Sequence, residues 1–310
     1  MNQLAFIFPG QGSQFVGMGK DLYDRFDIAR KRFDQAGEIF KFDLAQLCFE
    51  GPDDELRLTR NTQPAIFVHS FILVELLRER GVHPDMLAGH SLGEYTALTA
   101  SGALEFEEAL RLVMLRGEAM QHAGDYQKGT MAAVIGLDFH LVEKFCNEVS
   151  RSAYVGMANF NSPSQVVISG TIDGVHQVMA RVQQAGAKRV IELNVSGAFH
   201  SPLMERALNF LSDALEKANI QAPNIPVYSN VNAEVNRDPE RIRKLLEEQL
   251  LDSVLWYQSI EKMIADGATY FIEVGPGKVL SNMLRQTRKD VTAVPVGSVE
   301  QLELILREAA

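Results

Sequence analysis

Cysteine is scarce in this chain, with only two among 310 residues. Cys48 and Cys146 lie far apart in segments with helical patterns, so the sequence favours neither a disulfide scaffold nor a thiolate metal site. Metal chemistry therefore has no support in the sequence, and we predict buried, reduced thiols.

Long apolar runs and a basic amino-terminal stretch are also missing. The longest apolar segments, such as 65–77, contain polar residues (His69 and Glu75), whereas a helix needs about 20 apolar residues to cross a bilayer. The first ten residues contain no lysine or arginine, unlike a secretory signal. We expect a cytoplasmic protein with no membrane partner.

Basic residues are fewer than acidic ones. The chain has 30 Lys and Arg residues and 40 Asp and Glu residues, which give a formal net charge of -10. Binding to nucleic acid depends on clustered Lys and Arg, so we expect no nucleic-acid partner. The chain is 46% hydrophobic and 23% charged. This composition is typical of a globular protein that can bury a sizeable core.

Short apolar runs alternate with longer helical patterns along the chain. This alternation is typical of parallel strands joined by crossover helices, and it predicts the α/β fold class. Residues 4–8 form a candidate strand, with a helix predicted over 16–26. A helix over 63–80 precedes the short strand that leads to Ser91.

Between about residues 128 and 195 the predicted elements become shorter. Their order is strand, helix, strand, strand, helix, strand, which is the split arrangement called ferredoxin-like. The elements are predicted over 131–137, 139–150, 153–159, 165–169, 172–185 and 189–193. We therefore predict an inserted subdomain at 128–195 within a large domain formed by 1–127 and 196–310.

Two glycine-rich turns resemble nucleotide-binding loops but lack required residues. In the turn that begins at Gly10, the third glycine of a dinucleotide fingerprint would fall on Phe15. In the turn that begins at Gly275, Val279 replaces the Ser or Thr of a phosphate loop. Both are better interpreted as strand-to-helix turns.

The segment Gly89-His90-Ser91-Leu92-Gly93 has the Gly-x-Ser-x-Gly pattern of a nucleophile elbow. In an elbow a strand turns sharply into a helix, and the serine hydroxyl projects into a cleft. The N–H of Leu92 at the helix start would help to bind an oxyanion. The alternative is a glycine-containing turn with a solvated serine.

A serine nucleophile needs a base, and seven histidines are available. His200 lies at a loop-to-helix boundary just after the predicted subdomain, where the chain would re-enter the cleft. It is therefore the candidate base. The alternative for His200 is an ordinary residue that caps the following helix.

Six separated motifs together resemble the malonyl-CoA:acyl carrier protein transacylases, in their order and over essentially the whole chain. They are Phe8-Pro9-Gly10-Gln11-Gly12-Ser13-Gln14, Thr62-Gln63-Pro64-Ala65, Gly89-His90-Ser91-Leu92-Gly93-Glu94, Arg116-Gly117, Gly197-Ala198-Phe199-His200-Ser201 and Glu273-Val274-Gly275-Pro276-Gly277. This resemblance implies a large α/β hydrolase-like domain with a parallel sheet and a small ferredoxin-like insert.

The resemblance also implies a ping-pong transfer from malonyl-CoA to the phosphopantetheine thiol of acyl carrier protein, without a cofactor. Ser91 would be the nucleophile and His200 the general base and acid, oriented by the main-chain carbonyl of Gln249. The backbone N–H groups of Gln11 and Leu92 would form the oxyanion hole.

The resemblance assigns the substrate pocket to Arg116, Gln63 and Phe199. Arg116 would hold the free malonyl carboxylate through paired hydrogen bonds, although helical periodicity alone does not separate it from Arg111. Phe199, next to the histidine, would occupy the space of a methyl branch and favour malonyl over methylmalonyl groups.

Three functions remain open on the sequence. The first is the transacylase, which serves fatty acid biosynthesis or acts as a free-standing acyltransferase of a polyketide synthase. The second is a serine acyl hydrolase or thioesterase, and Arg116 argues against it because acids without a second carboxylate would leave that charge unpaired. The third is a non-catalytic carrier-protein scaffold, which the presence of both Ser91 and His200 disfavours.

Overall fold

The computed structural model describes residues 3–308 of the chain. Its strands are β1 Gln3–Phe8, β2 Met86–Gly89, β3 Gly129–Ile135, β4 Val155–Ser162, β5 Gln165–Thr171, β6 Arg189–Glu192, β7 Val227–Tyr228, β8 Ala268–Val274 and β9 Thr292–Val296. Its helices are α1 Lys20–Arg25, α2 Asp27–Phe40, α3 Leu44–Glu50, α4 Asp53–Arg57, α5 Thr59–Glu79, α6 Gly93–Ala100, α7 Phe106–Tyr126, α8 Phe139–Val149, α9 Ile172–Gln184, α10 Glu205–Lys217, α11 Pro239–Glu248, α12 Trp256–Ala265, α13 Val279–Thr287 and α14 Val299–Glu308. A short 3-10 helix, Pro202–Met204, precedes α10.

The larger sheet has the strand order β7-β2-β1-β8-β9, and all of its neighbouring strands are parallel. Strand β1 lies at the centre of this sheet, and its alternate side chains are buried in two different cores. Phe6 and Phe8 pack on one face, and Ala5 and Ile7 pack on the other. A parallel sheet covered on both faces confirms the predicted α/β class.

The smaller sheet has the order β4-β5-β3-β6 and antiparallel pairing. One face packs against α8 and α9 in an apolar core that includes Val134 and Ile168. The opposite face, which includes Ala133 and Val167, packs into the core of the larger unit. The element order is the ferredoxin-like one that the sequence predicts, while the domain boundaries at 128 and 195 stay a prediction.

Two helix boundaries differ from the sequence-based expectation. The helix predicted over 16–26 begins only at Lys20, because Gly17 and Gly19 adopt φ of 102° and 79°, outside the right-handed helical region. The helix predicted over 63–80 begins earlier, at Thr59. Between residues 3 and 308, no helix combines the length and apolarity that crossing a bilayer requires.

Candidate active site

The Gly-x-Ser-x-Gly segment forms a tight elbow between β2 and α6. Ser91 has a φ of 52°, in the left-handed region that non-glycine residues rarely adopt. A Cβ on Gly89 would lie 1.9 Å from the backbone carbon of Gly93, and a Cβ on Gly93 would lie 2.3 Å from the carbonyl oxygen of Phe8. Only glycine therefore fits at either position, and the serine is held at the carboxyl edge of the parallel sheet.

Asn230 clamps the elbow from the neighbouring strand, where it follows β7. Its Oδ1 accepts a hydrogen bond from the backbone N–H of Ser91 at 2.7 Å, and its Nδ2 donates to the carbonyl of Gly89 at 2.7 Å. These two bonds satisfy both ends of the strained turn. Asn230 is absent from the sequence-predicted site; the available signal was a polar residue at the carboxyl end of a parallel strand.

The structure brings His200 to Ser91 across 109 residues of sequence. His200 Nε2 lies 2.8 Å from Ser91 Oγ, and His200 Nδ1 lies 2.7 Å from the main-chain oxygen of Gln249. Since a carbonyl only accepts hydrogen bonds, Nδ1 carries the proton and Nε2 is free to accept one. Burial, followed by the positive charge of Arg116, lowers the pKa of His200 to about 3. The imidazole is therefore neutral at physiological pH, as a base must be.

Arg116, on α7, is almost completely buried, with 1% of its surface exposed. Its Nη1 donates to Gln63 Oε1 at 2.7 Å, and its Nη2 donates to Ser91 Oγ at 3.0 Å and to Gln249 Oε1 at 2.9 Å. Burial lowers the pKa of Arg116, but a guanidinium remains charged at neutral pH. Arg111, by contrast, lies on the exposed face of the helix, so burial separates the two arginines where periodicity did not.

The side chain of Gln249 connects several of these groups. Its Nε2 donates to the carbonyl of Ser91 at 3.1 Å and to Oε2 of the buried Glu94 at 2.6 Å, while its Oε1 faces Arg116. In the sequence-based prediction Gln249 has a main-chain role only, and Glu94 has no role. A first-turn acid such as Glu94 looks like any residue that complements a helix dipole, so the sequence carried no distinguishing signal.

The first glycine-rich turn passes directly beside the elbow. A Cβ on Gly10 would lie 2.6 Å from the carbonyl oxygen of His90, so the close approach requires glycine. Within the described residues, the backbone N–H groups of Gln11 and Leu92 have no hydrogen-bond acceptor. Both are therefore available to an incoming oxyanion, and their role as an oxyanion hole stays a prediction.

A cleft of about 220 Å³ separates this turn from the smaller sheet. The larger unit contributes Gln11 and His90 to its wall, and the smaller sheet contributes Asn161 and Gln165. His90 Nε2 lies 2.9 Å from Asn161 Oδ1, so this bond joins the elbow to the smaller sheet. The cleft thus leads toward the elbow, and its wall combines side-chain amides with apolar side chains such as Val167 and Leu193.

None of the three sequence-predicted pocket residues, Arg116, Gln63 and Phe199, is among the residues that line this cleft. Gln63 is buried on α5, where it contacts Arg116 and, through Nε2, Met120 Sδ at 3.3 Å. Phe199 is 5% exposed and packs in the main apolar core immediately before His200. Gln63 thus supports the arginine from α5, and the role of Phe199 in acyl selection stays a prediction.

Comparisons with known proteins relate the whole chain to acyl transferases. A family model described as "Acyl transferase domain" matches residues 5–303. The malonyl CoA-acyl carrier protein transacylase of Bacillus subtilis is 44% identical over 308 residues, which cover 99% of this chain and 97% of that protein.

Solved structures show the same likeness along the whole chain. The crystal structure of an acyl carrier protein S-malonyltransferase from Vibrio cholerae superimposes with a TM-score of 0.94 at 39% identity, covering 98% of this chain and 100% of that one. A malonyl-transacylase in complex with its type II PKS acyl-carrier protein superimposes with a TM-score of 0.95 at 37% identity, covering 99% of this chain and 100% of that one.

Proposed function

Because the chain belongs to the acyl transferase family that contains the malonyl CoA-acyl carrier protein transacylases, we propose that it transfers a malonyl group from malonyl-CoA to acyl carrier protein through Ser91. One observation carries the proposal most directly. A neutral histidine and a buried arginine both contact the same serine hydroxyl, at 2.8 and 3.0 Å. The histidine activates the nucleophile, and the arginine supplies a site for an acid group next to it.

The first half-reaction forms the acyl-enzyme. Ser91 Oγ gives its proton to His200 Nε2 and attacks the thioester carbonyl carbon, while the carbonyl of Gln249 stabilises the imidazolium. The negative oxygen is bound by the N–H groups of Gln11 and Leu92. When the tetrahedral intermediate collapses, the C–S bond breaks and the CoA sulfur leaves with the proton from His200.

The second half-reaction reverses these roles with a different thiol. The phosphopantetheine thiol of acyl carrier protein gives its proton to His200 and attacks the malonyl ester carbon, and Ser91 leaves with that proton. Asn161 and Gln165 in the cleft wall offer hydrogen-bonding partners to the two amides of a pantetheine arm. The same cleft can therefore receive both thioester substrates in turn, and the reaction requires no group beyond them.

Arg116 makes the transfer selective for an acyl group that carries a carboxylate. Only one methylene separates the malonyl carboxylate from the carbon that Ser91 attacks, so a guanidinium in contact with Ser91 Oγ is within reach of it. Paired hydrogen bonds to that carboxylate would fix the acyl group and keep its carbonyl aligned for attack. A hydrolase of simple acids would have to bury this charge without a partner, which is unfavourable.

We place the enzyme in fatty acid biosynthesis in the cytoplasm, with residues 1–127 and 196–310 as its catalytic domain and 128–195 as an inserted subdomain. A role as a free-standing acyltransferase of a polyketide synthase is the second candidate. The likeness to a malonyl-transacylase bound to a type II PKS acyl-carrier protein supports it. The two roles share the chemistry and differ in the carrier protein that accepts the malonyl group.

Intact-protein mass spectrometry tests the proposed reaction. Wild type and Ser91→Ala are exposed briefly to malonyl-CoA or acetyl-CoA, and acyl carrier protein with its phosphopantetheine arm is then added. We expect a malonyl adduct on wild type only, followed by its transfer to the carrier. If the adduct were released as free malonate at the same rate with and without carrier, the protein would be a hydrolase.

A further inference from the structure

Glu94 is a buried carboxylate beside the site. The transfer reaction assigns no step to this carboxylate. It is 3% exposed and lies on the first turn of α6, three residues after Ser91. Its Oε2 accepts hydrogen bonds from Gln249 Nε2 at 2.6 Å and from the backbone N–H of Asn230 at 3.2 Å. Burial raises the pKa of Glu94 to about 7. A carboxylate is costly to bury, so its position next to the catalytic groups requires an explanation.

The contacts of Gln249 show what this carboxylate controls. A side-chain amide has one end that donates and one end that accepts, and it can be inserted in either orientation. Glu94 Oε2 and the carbonyl of Ser91 both lie at the Nε2 end, and Arg116 Nη2 lies at the Oε1 end. In the reverse orientation, oxygen would face two acceptors and the amide N–H groups would face a guanidinium. The carboxylate therefore strongly favours the orientation that presents Oε1 to Arg116.

The contacts of Arg116 show why that orientation matters. Its three acceptors, Gln63 Oε1, Gln249 Oε1 and Ser91 Oγ, are all neutral, and within the described structure no carboxylate forms an ion pair with it. A carboxylate bound directly to the guanidinium would occupy the place that the malonyl carboxylate needs. Glu94 instead lies on the far side of one amide, where its ionised form stabilises the charged arginine. This position leaves the malonyl site free.

On the basis of the proposed function, we propose that Glu94 is a positioning residue for malonyl selectivity, which acts by orienting the Gln249 side chain that holds Arg116. Glu94 touches no substrate. Its effect reaches the acyl group through the hydrogen bonds from Glu94 to Gln249 and from Gln249 to Arg116. The proposal therefore concerns the choice between acyl groups that do and do not carry a carboxylate.

A purely structural role gives a different expectation. Glu94 also accepts from the backbone of Asn230, which clamps the elbow. If that were its whole function, loss of Glu94 would disturb Ser91 and would slow acylation by every thioester to the same extent. The ratio of kcat/KM for malonyl-CoA to kcat/KM for acetyl-CoA separates the two roles, because damage common to both substrates cancels in the ratio.

The test measures this ratio in three variants by the rate of Ser91 acylation. Glu94→Leu removes the acceptor at similar volume, Gln249→Met removes the amide but keeps the main-chain carbonyl for His200, and Glu94→Gln keeps an acceptor oxygen. We expect the ratio to fall roughly 10- to 100-fold in the first two, the usual effect of losing a hydrogen bond to a charged group. In Glu94→Gln it should stay close to wild type.

Combination with Arg116→Ala identifies the route of the effect. If Glu94 acts through the arginine, Glu94→Leu should change the ratio no further in an Arg116→Ala background. An equal loss for both thioesters in Glu94→Leu, or an unchanged ratio in Gln249→Met, would overturn the proposal. The Gln249→Met result decides the matter even if Glu94→Leu does not fold.

Failure of the proposed function would appear in the wild-type protein, before any variant is compared. Wild-type protein would then form no malonyl adduct on Ser91 or would not pass it to the carrier. The selectivity proposal fails separately, when wild type transfers malonyl normally and the variants keep its preference over acetyl.

Discussion

The two sheets of this protein differ in what their buried residues do. At the carboxyl edge of the parallel sheet, the buried side chains are ionisable or polar and contact one another, among them Arg116, Glu94 and His200. Between the antiparallel sheet and its own helices, the core is apolar, with valines such as Val134 and Val178. The opposite face of the smaller sheet presents amides, Asn161 and Gln165, to the cleft.

This difference follows from how the two sheets are covered. All the strands of the parallel sheet end at the same edge, where loops and helix starts bring polar groups together. The antiparallel sheet alternates its side chains between an apolar core and the cleft. We infer that the larger unit carries the charge-dependent chemistry and that the smaller one shapes the approach of substrates. The variants below test this division.

Arg116→Ala should give the largest selective effect, because it removes the cation that holds the malonyl carboxylate. We expect malonyl acylation to lose about 2 to 5 kcal/mol of transition-state stabilisation, the range for truncating one partner of a buried charge pair. Acylation by acetyl-CoA should stay level or rise. Stopped reactions analysed by mass spectrometry give both rates.

Arg111→Ala is the matched control on the same helix, since its side chain is exposed and more than half of its surface reaches solvent. It should leave both rates unchanged. If Arg116→Ala slowed acylation by malonyl-CoA and acetyl-CoA equally, the charge-dependent chemistry could no longer be assigned to the larger unit.

Asn161→Ala should have a smaller effect of a different kind. It deletes the acceptor that lies 2.9 Å from His90 Nε2, and a buried group left without its partner costs about 1 to 3 kcal/mol. Thermal or urea unfolding should therefore show a loss of stability, while the preference for malonyl over acetyl stays the same. Gln165→Ala, which changes another amide on the same cleft wall, controls for loss of cleft surface. A changed preference in Asn161→Ala would show that the smaller unit also takes part in acyl selection.

Local patterns in the sequence were sufficient to predict the elbow and the split arrangement of the smaller unit. The elbow follows from two glycines that no other residue can replace at Gly89 and Gly93. The smaller unit follows from strand and helix periods that alternate over short distances. Such signals lie within a few residues of one another, so they need no knowledge of the fold.

The buried network could not be predicted in the same way. Glu94 meets Gln249 across 155 residues, and Asn230 meets Ser91 across 139. Each of these residues has an ordinary local explanation, as a first-turn acid or a polar residue at a strand end. Helix α1 was placed too early for a related reason, since the left-handed conformations of Gly17 and Gly19 were not evident from composition.

The pH dependence of acylation should show the smallest effect, and its near absence is informative. A histidine with an ordinary pKa near 6.5 loses about three quarters of its basic form at pH 6. The folded pKa of His200 is lowered to about 3, first by burial and then by Arg116, so its neutral form persists throughout the range above that value. Single-turnover acylation by acetyl-CoA should therefore stay nearly constant from about pH 7.5 to about pH 5.5. This range extends about one unit on either side of the ordinary histidine pKa. In Arg116→Ala the second cause is gone and burial remains, so the pKa should rise while the profile stays flatter than that of an exposed histidine. A midpoint near 6.5 in wild type would mean that His200 reaches solvent in the working enzyme, and the assignment of a buried, charge-dependent site to the larger unit would then fail.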